Sequence, residues 1–287
     1  MTPADGRIES VSDTALWVAV YRAMETDRPD AHFRDPFARR LAGERGEQIM
    51  RSVPSGRWMA WAMIVRTAVF DEIIMAQVRG GADMVLNLAA GLDTRPYRLE
   101  LPRALRWVDV DLPAMIEYKQ KQLAGEQPMC QLESVALDLA DATGRRALFA
   151  RLGAQGSRVL VVTEGLLIYL RPEEVGALAS DLHAQPTFSH WLSDLASPML
   201  LQWMQKRARQ ALAAGNAAFQ FGPEEGPTFF ASYGWKLAEL RWSLEEARRL
   251  HREMPAAWLM RLISYLRGAK EREAGKRMSS IILLERA

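Results

Sequence analysis

Residues 85–102, VLNLAAGLDTRPYRLELP, decide how the rest of the chain is read. The run opens as an apolar strand, breaks at small residues and then turns charged and aromatic. A nucleotide-binding α/β sheet begins this way, with a buried strand feeding a tight loop. The dinucleotide fingerprint G-x-G-x-x-G is nevertheless absent, because its first small positions are Ala89 and Ala90 and only Gly91 is a glycine. The loop asks for a ligand other than a pyrophosphate.

Downstream of this loop, the chain alternates between strand and helix. Apolar or alternating runs predict strands at Met84–Leu88, Arg106–Val110, Leu132–Ala136, Val159–Thr163 and Phe188–Leu192. Helical spacing predicts helices at Pro113–Leu123, Gly144–Leu152 and Pro172–Ala184. Such alternation argues for a mainly parallel sheet with helices on both faces. Val159–Thr163 is apolar on both sides, as a central parallel strand must be. Two more strands are expected at 234–240 and 278–287, with helical stretches at 198–215 and 243–267 and a Gly/Pro-rich loop, FGPEEGPTFF, between. Upstream, the chain reads as helices: SDTALWVAVYRAMETDRP, then a short one ending at Gly43, then GRWMAWAMIVRTAVFDEIIMAQVRGGA, stopped by Gly80–Gly81.

Composition narrows the class. With 287 residues, 49% of them hydrophobic, the chain can bury a sizeable core. A formal net charge of +2 is too weak to argue for a nucleic-acid or membrane partner, and the late basic run is interrupted by glutamates. One cysteine, Cys130, excludes a disulfide framework and a cysteine-rich metal site, so no metal is expected. The first ten residues lack the basic and apolar regions of a signal peptide, which favours a soluble, cytoplasmic protein.

The chemistry is expected at the carboxyl ends of the strands, where open parallel sheets bind ligands. Past the first strand lie Ala89 to Arg95, past the second Asp109 and Asp111, past the third Asp138 and Leu139, and past the fourth Glu164. Carboxylates at three strand ends repel phosphate, but they suit a ribose diol, an adenine amino group and an ammonium or sulfonium centre. S-adenosylmethionine carries all of these and no phosphate. On this inventory Asp111, followed by Pro113, accepts from the ribose, with Asp109 as a rival. Asp138 accepts from adenine beside the Leu139 amide, and Glu164 or its carbonyl holds the ammonium. Arg66, an arginine in the apolar run AMIVRTAVF, is the candidate for the methionine carboxylate, or else it snorkels to solvent. Asp93 and Thr94 either take part in the site or merely cap a helix or turn, and Asp141 reads as a loop residue.

Four segments carry a family resemblance: VLNLAAGLDTRPYRL, WVDVDLPAMIEYKQ, LDLAD and VVTEGLLIYLRPEEV. In this order they resemble the leucine carboxyl methyltransferase and polyketide O-methyltransferase family, and above all its bacterial branch of S-adenosylmethionine-dependent methyltransferases. The likeness includes TALWVAVYRAMETDRPDAHFRDPFARRLAG and runs from about residue 14 to 175. It implies an α/β fold of the class I methyltransferase, Rossmann-like kind. Its seven-stranded sheet is mostly parallel with an antiparallel last strand, with an N-terminal helical lid and C-terminal helical insertions. The expected organisation is a single domain, 1–287, with a lid region at 1–82, a cofactor core at 83–194 and acceptor-side elements at 195–287.

The resemblance assigns Arg66 to the methionine carboxylate, Ala89 and Gly91 to close backbone approach at the methionine, Asp111 to the ribose, Asp138 and Leu139 to adenine, and Glu164 to the methionine end. Family enzymes that act on protein phosphatase have glycine where this chain has Ala89, and the lysine near their start has no match among residues 1–30. A protein-phosphatase substrate is therefore not expected.

Methyl transfer to a carboxylate needs no base, whereas an alcohol or phenol benefits from one. The acceptor-side candidates are His190, Tyr169 and Arg95; His32 lies in the lid region, and His183 and His251 read as surface residues. Trp203, Phe219, Phe221, Phe229 and Trp258 suggest an apolar acceptor pocket or plain core. A fatty or polyketide-like carboxylic acid leads as acceptor, with a hydroxyl or phenol behind it. The competing classes are a catalytically silent binding protein of the same fold and a nicotinamide-dependent oxidoreductase. Oligomeric state is not legible.

Overall fold

The computed structural model describes residues 11–52, 56–211, 219–254, 257 and 277–287. Three helices come first: α1 (Val11–Thr26), α2 (Ala38–Ser52) and α3 (Gly56–Arg79). The short helix expected to stop at Gly43 instead resumes beyond it. Gly43 takes φ 56° and ψ −172°, a break that only glycine makes cheaply, and helix continues to Ser52. Gly81 at φ 97° closes α3, with the Ala82 amide reaching back to the Gln77 carbonyl.

The core alternates from there: β1 (Met84–Leu88), α4 (Arg95–Arg98), β2 (Arg106–Asp111), α5 (Pro113–Gln122), β3 (Gln131–Ala136), α6 (Ala142–Gly153), β4 (Val159–Thr163), α7 (Pro172–His183) and β5 (Phe188–Ala196). A short 3-10 turn, Leu167–Tyr169, leads from β4 to α7. After β5 come α8 (Pro198–Ala211), a 3-10 segment Gly226–Tyr233, β6 (Trp235–Trp242), α9 (Ser243–Arg249) and β7 (Ser279–Arg286). The helix expected over 243–267 is described only as far as α9, since most of its remainder, Trp258 included, lies outside the described residues. β5 outruns its expected end by four residues, and that extension carries Asp194 to the rim of the sheet.

Seven strands form one sheet in the order β3-β2-β1-β4-β5-β7-β6. The first five are mutually parallel, and β7 runs antiparallel to both β5 and β6. β1 and β4 sit mid-sheet and every residue of both is buried, which is why they read as unbroken apolar runs. One sheet face, with Val85, Trp107, Leu160, Val162 and Leu283, packs against α3 residues such as Val65, Val69 and Ile73. The other, with Leu86, Val108, Val161 and Trp191, packs on α6 and α7 through Phe149, Leu178 and Leu182. Strand order reverses between β1 and β4, so the carboxyl ends of these strands open the crevice where such sheets bind ligands.

Candidate cofactor and acceptor site

At the end of β1 the backbone enters the left-handed region twice, at Ala89 (φ 53°) and Gly91 (φ 49°). For Ala89 this costs about 1–2 kcal/mol, so its neighbours must over-determine the conformation. They do so with an acid–amide clip. Asp111, at the end of β2, takes the Gly91 amide at 2.6 Å on one oxygen and the Leu112 amide at 2.7 Å on the other. Burial raises the pKa of this carboxyl, and the two amides only partly offset that. Both of its oxygens keep lone pairs for further donors.

Asp109, the rival for the same role, is committed elsewhere. It is buried under the Trp107 indole N–H at 2.8 Å, the Asn87 amide at 3.1 Å and the Lys119 ammonium at 2.7 Å. Asp138 is exposed at the end of β3 and accepts the Ala140 amide at 2.9 Å. Leu139 follows, and its carbonyl is pinned at 2.6 Å by the Arg145 guanidinium. Asp141 caps α6, accepting the Thr143 and Gly144 amides, rather than idling in a loop.

Glu164 follows β4 and is gripped from two sides, by Arg66 Nε at 3.0 Å and Arg95 Nη1 at 2.7 Å. Burial works to raise its pKa, but the two guanidinium groups outweigh burial and hold it below the usual carboxylate range. Arg66 also gives Nη1 to Asp194 at 3.2 Å, while its Nη2 has no hydrogen-bond partner among the described residues. It lies flat on the turn after Glu164: a Cβ on Gly165 would sit 3.1 Å from Nη1 and 3.4 Å from Nη2. Gly165 takes φ 67° and gives its amide to Asp194 Oδ1 at 2.6 Å. Arg66 thus does not snorkel.

Two of the acceptor-side candidates change character. Arg95 is almost wholly buried, and its donors go to Asp71 at 2.6 Å, Asp93 at 2.7 Å, Glu164 and the Thr67 carbonyl, which makes it a structural hub. Asp93 serves that hub as well as the turn, accepting the Arg95 amide. His190 is corrected outright: it pairs with Leu160 at the beginning of β4, four residues before Asp194, or about 13 Å away at the opposite end of the sheet. Tyr169 does join the cluster, beside Thr14 of α1 and within the field of Arg66 and Asp194; burial raises its pKa, so the phenol stays neutral. Phe219 stacks on it at 5.3 Å, whereas Phe221 is buried core and Trp203 is 40% exposed on α8.

Sequence reasoning passed over Asp194 and Asp71. Asp194 was hidden because the strand was expected to end at Leu192, and Asp71 because it lies inside a long helix. α1 covers the site. Its Arg22 gives Nη2 to the Leu92 carbonyl at 2.6 Å, and Ala15 lies against Gly91. Asp35 locks this cover by accepting both Arg22 Nε at 2.8 Å and the Thr94 hydroxyl at 2.6 Å.

This sheet order, with acids ranked along the carboxyl rim, defines the class I methyltransferase fold. A chain of the DUF574 family from Streptomyces avermitilis superposes with TM-score 0.59, covering 94% of this chain and 97% of its own at 14% identity. A "putative methyltransferase" from Thermobifida fusca does so with TM-score 0.55, covering 97% and 95%, also at 14% identity. Leucine carboxyl methyltransferase is the family whose pattern matches, over residues 15–183. The chain belongs to that family. A relative from Parafrankia sp. (strain EAN1pec), named "Putative S-adenosyl-L-methionine-dependent methyltransferase", is 31% identical over 86% of this chain and 83% of its own.

Proposed function

We propose that this protein transfers the methyl group of S-adenosylmethionine to a carboxylate or hydroxyl oxygen of a small, apolar acceptor. As a member of its family it is an S-adenosylmethionine-dependent methyltransferase, and the acceptor atom is the part we infer. The observation that carries the reading is the clip between Asp111 and the Gly91 amide, which ties the ends of β1 and β2 into one cradle without phosphate-binding glycines. In this reading Asp111 accepts from the ribose hydroxyls, and Asp138 with the Leu139 amide meets the adenine edge. Ala89 and Gly91 allow the backbone to approach the methionine, whose carboxylate meets Arg66 Nη2 and whose ammonium meets Glu164. The chain works as one unit, with residues 83–194 holding the cofactor.

Methyl transfer from a sulfonium is an in-line displacement, so the protein contributes chiefly by holding acceptor oxygen, methyl and sulfur in line. α1 and the Arg22–Asp35–Thr94 lock keep water from the cofactor while that alignment is made. Tyr169 and Phe219 supply an apolar wall with one polar tip. The test is transfer of tritium from methyl-labelled S-adenosylmethionine to matched fatty acids, alcohols and naphthols. Label on an oxygen of any of these, lost with Arg66→Met, supports the assignment. Label appearing only on nitrogen or carbon acceptors contradicts it.

A further inference from the structure

Asp194 is a partly open carboxylate at this rim that the cofactor assignment leaves unused. Sheet order fixes its place. The adenosine assignments occupy the ends of β3 and β2, and the methionine assignments those of β1 and β4, so β5 is the next strand along, about 4.8 Å further. An acceptor must approach the methyl from beyond the methionine end, over β5. A wall stands there. The amides of Gln220 and Phe221 bond the Ile168 carbonyl, Phe219 stacks on Tyr169, and Gly222 lies so close to Leu201 that an added Cβ would be 3.1 Å from its Cβ.

Charge selects the acceptor class. Arg66 faces Glu164 and Asp194; Arg95 faces Asp71, Asp93 and Glu164; Arg98 faces Asp71. Four carboxylates stand against three guanidinium groups. The excess negative charge matches S-adenosylmethionine, in which ammonium and sulfonium outnumber one carboxylate. With that cofactor in place, an anionic acceptor finds no uncommitted cation of this cluster except the sulfonium itself, and it lies beside Asp194, where like charges repel.

We propose that the acceptor is a neutral hydroxyl compound with an apolar body, and that Asp194 takes its proton; this rests on the methyltransferase reading. The hydroxyl oxygen forms its bond to the methyl carbon as the carbon–sulfur bond breaks. That electron pair stays on sulfur, leaving the neutral thioether of S-adenosylhomocysteine. The hydroxyl proton passes to Asp194 Oδ2 and then to water, since a quarter of the side chain is open. The Gly165 amide on Oδ1 and Arg66 on Oδ2 hold the carboxylate in position and leave Oδ2 a second lone pair. Tyr169, kept neutral by burial, orients the acceptor and does not compete for the proton.

The experiment compares wild type, Asp194→Asn and Asp194→Glu, each shown to fold by thermal unfolding and each first saturated with S-adenosylhomocysteine. Calorimetric titration then uses matched pairs, 2-naphthol with 2-naphthoic acid and 1-decanol with decanoic acid, and tritium transfer to the same compounds follows. The expected result is that all three proteins bind S-adenosylhomocysteine within threefold. Wild type prefers a hydroxyl over its matched acid by at least tenfold. Asp194→Asn loses at least a hundredfold in kcat on the hydroxyl and gains at least tenfold in affinity for the acid, and Asp194→Glu keeps part of the turnover. Preference for the acid by wild type, undiminished turnover in Asp194→Asn, loss of S-adenosylhomocysteine binding in folded Asp194→Asn, or no binding by any pair would each overturn the proposal. Failure of wild type to bind S-adenosylhomocysteine would remove the methyltransferase reading instead, so the two failures read apart.

Discussion

Arg95 shows how much of the site is electrostatic scaffolding. It neutralises Asp71, Asp93 and Glu164 at once, and burial would otherwise drive up the pKa of Asp93 and Glu164. Arg95→Met strands those carboxylates in the interior, and a loss of about 3–5 kcal/mol in unfolding free energy is expected in urea titrations. The pH dependence has a definite sign. Asp93 and Glu164 are held below their usual range, so their contribution to stability is complete above their unfolded values of about 3.9 and 4.3 and is lost as pH falls through the folded ones. Thermal unfolding between pH 7 and pH 3 should show the melting temperature dropping below about pH 4. At this scale the sequence was half legible. Arg66 and Glu164 stand out because a charge in an apolar run is costly without a partner, and Asp111 because it ends a strand just before Pro113. Arg95 sits among polar neighbours in the sequence and Asp71 inside a long helix, and only the fold brings them together.

Turns and covers govern the next scale. Gly165 is small because Arg66 lies across it, and its φ of 67° disfavours any side chain. Gly165→Ala must shift the guanidinium by several tenths of an ångström, and we expect a tenfold or greater loss of S-adenosylmethionine affinity with a melting temperature lowered by only a few degrees. Calorimetry beside thermal unfolding checks this, and unchanged affinity would mean that Arg66 does not serve the cofactor. Most elements were legible from periodicity and capping, including β1 and β4 to the residue. Two boundaries, beyond shifts of one or two residues elsewhere, were not. Gly43 reads as a stop because glycine ends helices, yet here it is a kink that lets α2 continue. β5 reads as finished at Leu192 because Ser193 and Asp194 look like a loop, but antiparallel pairing with β7 carries the ladder on to Ala196. That tertiary pairing is invisible to local pattern, and it is what moves Asp194 to the rim and leaves His190 behind.

Over the whole molecule, the sheet sorts ligand chemistry by strand. Acids at the ends of β2, β3 and β4, a left-handed loop after β1 and a helical cover above it form a cradle suited to a cationic nucleoside rather than a dinucleotide. Parallel alternation and the resemblance made this architecture readable in advance. The arrangement of the C-terminal elements was less so, because their aromatic residues serve core and wall alike. The central claim is that this rim holds S-adenosylmethionine, and the most direct measurement is calorimetric titration of the protein with S-adenosylmethionine, S-adenosylhomocysteine and NAD, beside an Asp111→Ala control. The account predicts that both adenosyl compounds bind, that NAD does not, and that the control weakens binding by about ten- to a hundredfold, as expected for losing hydrogen bonds to a charged acceptor. Binding of NAD in preference, or adenosyl binding untouched by the loss of Asp111, would contradict it.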